Sequence, residues 1–238
     1  IHTNAAGKTY QKLSKNLSAI EPPIWAGLLA NHTRLKGYET KILDCEAERL
    51  TCEASADKIC KLNARLNVFV VYGQQPSAST QNMAGVRETL NYVKSKNENF
   101  RTLLVGLHPS ALARQTLQDE NTDFVCQGEG PKTIVGLLEC NDLSDTEQLQ
   151  KIPGLWYWKD KKTHCTKPAP IIRQGDLQNE LPGVAWDLLP MDKYRTSNWH
   201  AMSNNNDRGN FASIYTSLGC PFKCSFCCIN APFGHNNL

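Results

Sequence analysis

Leu66-Asn67-Val68-Phe69-Val70-Val71-Tyr72 is a near-continuous apolar run followed by the small, polar stretch from Gly73 to Thr80. A strand with one solvated face alternates apolar and polar side chains. An unbroken apolar run of this length is what a strand buried on both faces requires. Upstream of it, Pro22 and Pro23 suit the first turn of a helix over 22–37. Ile24, Leu28, Leu29 and Leu35 mark its apolar face, and Gly37 its stop. Residues 38–43 predict a short strand ending at Asp44, and 53–63 a polar helix. Downstream, a helix over 80–96 carries Met83, Val86, Leu90 and Val93, and 101–105 predicts another apolar strand. A helix over 110–118, a short strand over 123–126 and a helix over 131–139, with Pro131 in its first turn, complete the series. Strands and helices alternating this closely predict βαβ units and an α/β, doubly wound parallel sheet. Four strands count from residue 38. A fifth is expected ahead of the first helix, with Ile1 as its last residue.

After about residue 150 the character changes. Residues 154–170 predict a hairpin with a charged turn, and 181–196, rich in Pro and Trp, predict a connector. A polar loop over 203–210 precedes an expected strand over 211–216, which runs into a cysteine cluster. The expected division is a Rossmann-like domain at 1–145, hairpin and linker at 146–208, and the start of a second domain at 209–238.

Composition narrows the function. The chain has 238 residues, 26 Lys+Arg against 23 Asp+Glu, and a net charge of +3, which argues against a nucleic-acid or membrane surface as a partner. Hydrophobic content of 40% with 21% charged residues is globular rather than disordered. No run of about eighteen apolar residues and no export signal occurs, so a cytoplasmic protein is expected. Of ten cysteines, six are scattered and four crowd into 220–228, which favours reduced thiols and a metal site over disulfides.

The cluster reads Gly219-Cys220-Pro221-Phe222-Lys223-Cys224-Ser225-Phe226-Cys227-Cys228. Cys220, Cys224 and Cys227 give C-x3-C-x2-C, and three thiolates on one short loop can hold three irons of a 4Fe–4S cluster. The fourth iron is then open to a substrate or cofactor. Zinc is the competing metal, but structural zinc wants four ligands, often as paired C-x2-C units. Cys228 is expected to be a packed thiol, not a ligand.

This loop, with the strand expected before it and aromatic Phe226 ahead of the last thiol, resembles the cluster loop of radical S-adenosylmethionine enzymes. The resemblance implies a (βα)6 partial barrel, of which only the first strand and the loop are present. It also implies S-adenosylmethionine on the open iron, with Phe226 near its adenine, and a 5′-deoxyadenosyl radical as the product of its cleavage.

A doubly wound domain binds its ligand outside the carboxyl ends of its strands, so the loops there are the candidate contacts. They contain His2, Thr3 and Asn4; then Gln74, Ser77 and Ser79; then Gly106, His108, Pro109 and Ser110; then Gly128, Glu129 and Gly130. Glycine, serine and threonine let backbone approach a bulky ligand, though any α/β domain uses them as turn residues. No G-x-G-x-x-G opens a helix, and Gly7-Lys8-Thr9 lacks the earlier glycine of a P-loop.

Set ahead of the cysteine loop, Pro22-Pro23, Gly27-Leu28-Leu29, Gly37-Tyr38-Glu39, Ile42-Leu43-Asp44, Gly106–Ala111, Gly128-Glu129-Gly130, Ile152–Leu155 and Ala185–Leu189 resemble, in order, the cobalamin-dependent members of that superfamily. The resemblance implies cobalamin over the loops named above, and it extends along nearly the whole chain. D-x-H-x-x-G, which supplies a lower-face histidine to cobalt, is absent; His108 is expected to fix the pocket or backbone, and His32 to lie on the surface. The implied activity is methylation of an unactivated carbon of a small molecule or natural product, with flavodoxin or ferredoxin as external one-electron reductant. Two alternatives stay open: a cobalamin-binding module without catalysis, and an iron–sulfur electron-transfer protein. Because the later barrel strands are not in the sequence, residues 1–238 alone are expected not to turn over.

Overall fold

The computed structural model describes residues 1–15, 18–73, 78–195, 212–220, 222 and 224–229. Its main elements, in chain order, are α1 (Ala6–Tyr10), α2 (Ile24–Leu35), α3 (Cys52–Leu62), β1 (Asn67–Val71), α4 (Ala78–Lys96), β2 (Thr102–Gly106), α5 (Leu107–Ala111), α6 (Ala113–Asp119), β3 (Phe124–Cys126), α7 (Pro131–Glu139), α8 (Thr146–Leu149), β4 (Leu155–Lys159) and β5 (Lys162–Cys165). Local chemistry explains several boundaries. The Thr51 hydroxyl accepts from the Ala54 amide at 3.1 Å and caps α3, which ends on Asn63 in the left-handed region. Pro131 opens α7, where a missing N–H costs nothing.

β1, β2 and β3 are parallel neighbours, and their side chains alternate between two buried faces. Val70, Leu103, Val105 and Phe124 pack on one face against Ile24, Leu28 and Leu29 of α2 and Ile134 and Leu137 of α7. Phe69, Val71, Leu104 and Val125 pack on the other against Ile59 of α3, Val86 and Leu90 of α4 and Leu117 of α6. This is the doubly wound arrangement that the apolar run at 66–72 predicts. Ile1 stands beside β1, its N–H groups and carbonyl bonding Val68 and Val70, and His2 exchanges backbone bonds with Leu43 and Cys45 at 2.9 Å. The spatial order is therefore the 43–45 segment, then Ile1–His2, then β1, β2 and β3, which is the flavodoxin-type order.

Four expectations need correction. Residues 38–43 form no strand; the segment touches the sheet only around the parallel bridge between His2 and Asp44. Only Ile1 and His2 stand beside it, and an extended segment without a ladder partner leaves its backbone groups to solvent. The helix expected over 110–118 is two helices, because Leu112 leaves helical geometry at φ −123°. His32 is buried, at 2% exposure, with Nδ1 on the Glu180 carbonyl at 2.5 Å. Burial lowers its pKa. Finally, the strand expected over 211–216 is not formed across the described residues 212–216, which have no ladder partner among the described residues.

The hairpin is part of the sheet: β4 pairs antiparallel with β3, Cys126 opposite Leu155, and β5 follows. The chain from 181 to 195 runs back across α2. Asn31 donates to the Gly183 carbonyl at 2.9 Å, the Ala185 amide to Gly27 at 3.2 Å, and the Tyr194 hydroxyl to Asp44 at 2.8 Å. Residues 196–211 lie outside the described residues. No helix among the described residues is long and apolar enough to cross a membrane.

Candidate functional site

In a 2-1-3 strand order the chain leaves neighbouring strands in opposite directions, and a crevice opens at their carboxyl ends. A cavity of about 440 Å³ lies there. Its floor is the end of β1, with Val70 and Tyr72; one wall is the start of α2, with Ile24 and Trp25; and α1, with Ala6 and Tyr10, and the stretch over 18–23 border it. The indole of Trp25 stacks on the Tyr72 ring, centroids 4.6 Å apart and planes 13° from parallel. The Tyr72 hydroxyl is buried with no hydrogen-bond partner among the described residues. Burial pushes its pKa well up. Ala6, Ala19, Ala26, Gly73 and Ala78 leave part of the space open, and Thr9, Ser18, Gln81 and Asn82 add polar groups to its lining.

One wall is polar. His2 Nε2 stands 3.2 Å from a Glu46 carboxylate oxygen. Burial opposes charging this imidazole, but the bond to Glu46 and the charges of Asp44 and Glu46 outweigh it, and the His2 pKa is raised. Asp44 accepts from the Glu46 and Ala47 amides at 3.1 and 3.0 Å, and from the buried Tyr194 hydroxyl. Glu21 also lines the cavity; burial first, then the Glu46 carboxylate, push its carboxyl up to about 7. Tyr215, from the segment ahead of the cysteines, reaches the same cavity, and burial followed by Glu21 raises its pKa.

Of the loop residues singled out in the sequence, His2 lines the cavity, and the other described ones sit beside it, several tied to the backbone of neighbouring elements. Thr3 is buried. Asn4 accepts from the Ala6 amide at 3.1 Å and donates to the Leu50 carbonyl at 3.0 Å. The Ser79 hydroxyl donates to the Val71 carbonyl and accepts from the His108 amide at 2.9 Å, joining the loops after β1 and β2. His108 Nδ1 is 3.1 Å from the Thr80 hydroxyl, and burial lowers its pKa. Pro109 is buried in α5. The Ser110 hydroxyl accepts from the Gly128 amide at 2.8 Å, and a Glu129 carboxylate oxygen from the Ile172 amide at 2.8 Å. Gly106 lets β2 approach β1: a Cβ there would stand 2.2 Å from the Val71 carbonyl oxygen. Gly130, at φ +110°, turns the chain into α7. Gln74 and Ser77 lie outside the described residues. Sequence reasoning missed Glu21, Trp25, Glu46, Tyr72 and Tyr215. An aromatic residue in the first turn after Pro22-Pro23, and another ending the β1 run, were the available signals.

In the cysteine segment, Cys220 and Cys227 are half-buried and Cys224 is exposed. The Cys227 amide donates to the Cys224 carbonyl at 3.1 Å, a tight turn that holds two of the thiols on one loop. Phe226 is 91% exposed, and Cys228, expected to be packed, is exposed too. Pro221 and Lys223 lie outside the described residues. Among the described residues no three His, Cys, Asp or Glu side chains gather into a metal site.

The family described as B12 binding domain matches residues 12–138, more than half of the chain, and the chain belongs to that family. An uncharacterized methyltransferase of Pyrococcus horikoshii is 30% identical over 227 residues, covering 95% of this chain and 44% of that protein. The anaerobic magnesium-protoporphyrin IX monomethyl ester cyclase of Synechocystis is 26% identical over 192 residues, covering 80% of this chain and 34% of that protein. The chain thus spans less than half the length of these relatives. The solved structure of the cobalamin-dependent S-adenosylmethionine radical enzyme OxsB, with aqua-cobalamin and S-adenosylmethionine bound, superposes with a TM-score of 0.53. The identity is 14%, over 71% of this chain and 22% of that one, a likeness of fold.

Proposed function

We propose that the chain is the cobalamin-binding part of a cobalamin-dependent radical S-adenosylmethionine enzyme, most simply a methyltransferase. The observation that carries this reading is the family match over 12–138, with a cavity of about 440 Å³ at the switch point of that same domain. The residues present suit a bulky, mostly neutral cofactor. An aromatic and aliphatic wall of Ile24, Trp25, Val70 and Tyr72 accepts a planar heterocycle, and short side chains leave room for it. When bound, cobalamin supplies methyl-group or one-electron chemistry. The protein binds it, orients it and keeps water away. The stacked Trp25–Tyr72 pair gives a rigid floor, while Ser79, Ser110 and Glu129 hold the surrounding loops in register.

In the whole protein Cys220, Cys224 and Cys227 would hold three irons of a 4Fe–4S cluster, leaving one iron for S-adenosylmethionine beside Phe226. The spacing of these thiols and the names of the relatives support this part; the described thiols are not gathered into such a site. The substrate is a small molecule or natural product, and the electron comes from an external donor such as flavodoxin or ferredoxin, in the cytoplasm. The alternative reading is a cobalamin-binding module without catalysis. 5′-Deoxyadenosine formation in the whole protein separates the two.

The test is anaerobic reconstitution of the full chain with cobalamin, iron and sulfide. Cobalamin is expected to co-elute with the folded chain; a folded chain that retains none overturns the reading. Cys224→Ala is expected to abolish the iron–sulfur absorbance and Cys228→Ala to leave it, and the reverse pattern reassigns the ligands.

A further inference from the structure

Glu21 stands immediately before Pro22 and Pro23, which restrict the backbone here, and it lines the cavity. It is half-buried, and no hydrogen bond or ion pair reaches its carboxyl among the described residues. The surrounding charges are engaged elsewhere. His2 is held by Glu46, Asp44 by backbone amides and Tyr194, and the Arg195 guanidinium by the Asp192 and Tyr194 carbonyls. Tyr10 and Tyr215 complete the titratable groups on this wall.

A partly buried carboxyl beside a second carboxylate holds its proton to higher pH, because the charged form loses water and meets a like charge. Burial and Glu46 bring Glu21 to about 7. Neutral, it offers an O–H donor and a C=O acceptor side by side. A primary carboxamide presents the complementary acceptor and donor. The rim of cobalamin is built of such carboxamides. Gln81 and Asn82 also line the cavity, Asn82 donating to the Tyr72 carbonyl at 3.3 Å, but Glu21 is its unpartnered carboxyl among the described residues.

We propose that Glu21 is the ligand-positioning group of this cavity, pairing through both oxygens of its carboxyl group with a primary carboxamide of the bound corrinoid. The inference rests on cobalamin binding as proposed above. It assigns Glu21 a hydrogen bond that disappears on ionisation, distinct from the His2–Glu46 pair on the same cavity.

The experiment is a visible-absorbance titration of the full chain with methylcobalamin between about pH 5.5 and about pH 8.5, a range in which the free cofactor does not change protonation. Wild-type affinity is expected to fall roughly tenfold between about pH 6 and about pH 8. Glu21→Gln, which keeps a donor and an acceptor, is expected to match wild type near about pH 6 and to stay flat. Glu21→Leu is expected to bind weakly at every pH. Glu21→Gln with the wild-type slope, or Glu21→Leu with wild-type affinity at the acid end, overturns the assignment to Glu21 and leaves cobalamin binding standing. If wild type, folded by circular dichroism, binds no methylcobalamin at any pH, the cobalamin reading itself fails and this inference with it.

Discussion

The loops at the carboxyl end of the sheet and the cysteine segment are opposite cases. The loops carry ordinary residues whose pattern is weakly specific, yet in the structure Ser79, Ser110 and Glu129 are each tied to backbone across elements. The cysteine segment carries the most specific motif in the chain, yet Phe222 and Phe226 are 69% and 91% exposed. A sheet-edge loop owes its shape to neighbours already packed beneath it. A metal loop owes its shape to the ion it grips, because thiolates repel one another until a metal holds them. Motif specificity and structural definition therefore need not coincide.

The largest expected contrast comes from the two aromatic residues. Phe69, fully buried in β1, packs against α3 and α4, and Phe69→Ala is expected to cost about 3–5 kcal/mol in urea denaturation. Phe226→Ala at the exposed turn is expected to change stability by less than about 0.5 kcal/mol. Comparable losses at both positions would erase the distinction between the two regions. Next in size is Glu129→Ala. It leaves the buried Ile172 amide without its acceptor and is expected to cost about 1–3 kcal/mol, with faster proteolysis around residue 172. An unchanged cleavage pattern would mean that Glu129 does not fasten this stretch.

The smallest effect is the pH dependence of stability set by Glu21. Its folded pKa, about 7, lies above its ordinary value of 4.5, so its contribution is fully present below about pH 4.5 and is lost as pH rises through about 7. Glu21→Gln is expected to match wild type in melting temperature at about pH 4.5 and to exceed it at about pH 8, by under about 1 kcal/mol because solvent screens a half-buried group. A gain at acid pH instead would assign the group a charged, paired state.

Periodicity made much of the fold legible. The run at 66–72, the helix over 131–139 and the hairpin after residue 150 stand where the pattern puts them, because burial on both faces, a Pro at the first turn and a charged turn are local matters. The segment at 38–43 does not, because a strand is completed only by its neighbour. The same holds for 212–216. The candidate site divides likewise. The sequence pointed to the edge of the sheet at which the cavity opens, but it mostly selected residues that hold the loops together. Glu21 with Trp25, then Glu46, then Tyr72 come from three separate stretches of the sequence, and nothing local to any one of them shows that they meet.

The amino-acid sequence by itself determined the doubly wound class, the edge of the sheet at which the cavity opens and three thiols at cluster spacing, since hydrophobic period and short motifs are one-dimensional properties. Only the tertiary structure decided that the connector lies across α2, that the hairpin extends the sheet, and that a carboxyl, an indole and a phenol share one cavity. Those facts depend on which surfaces exclude water together, and that is settled only when distant segments pack.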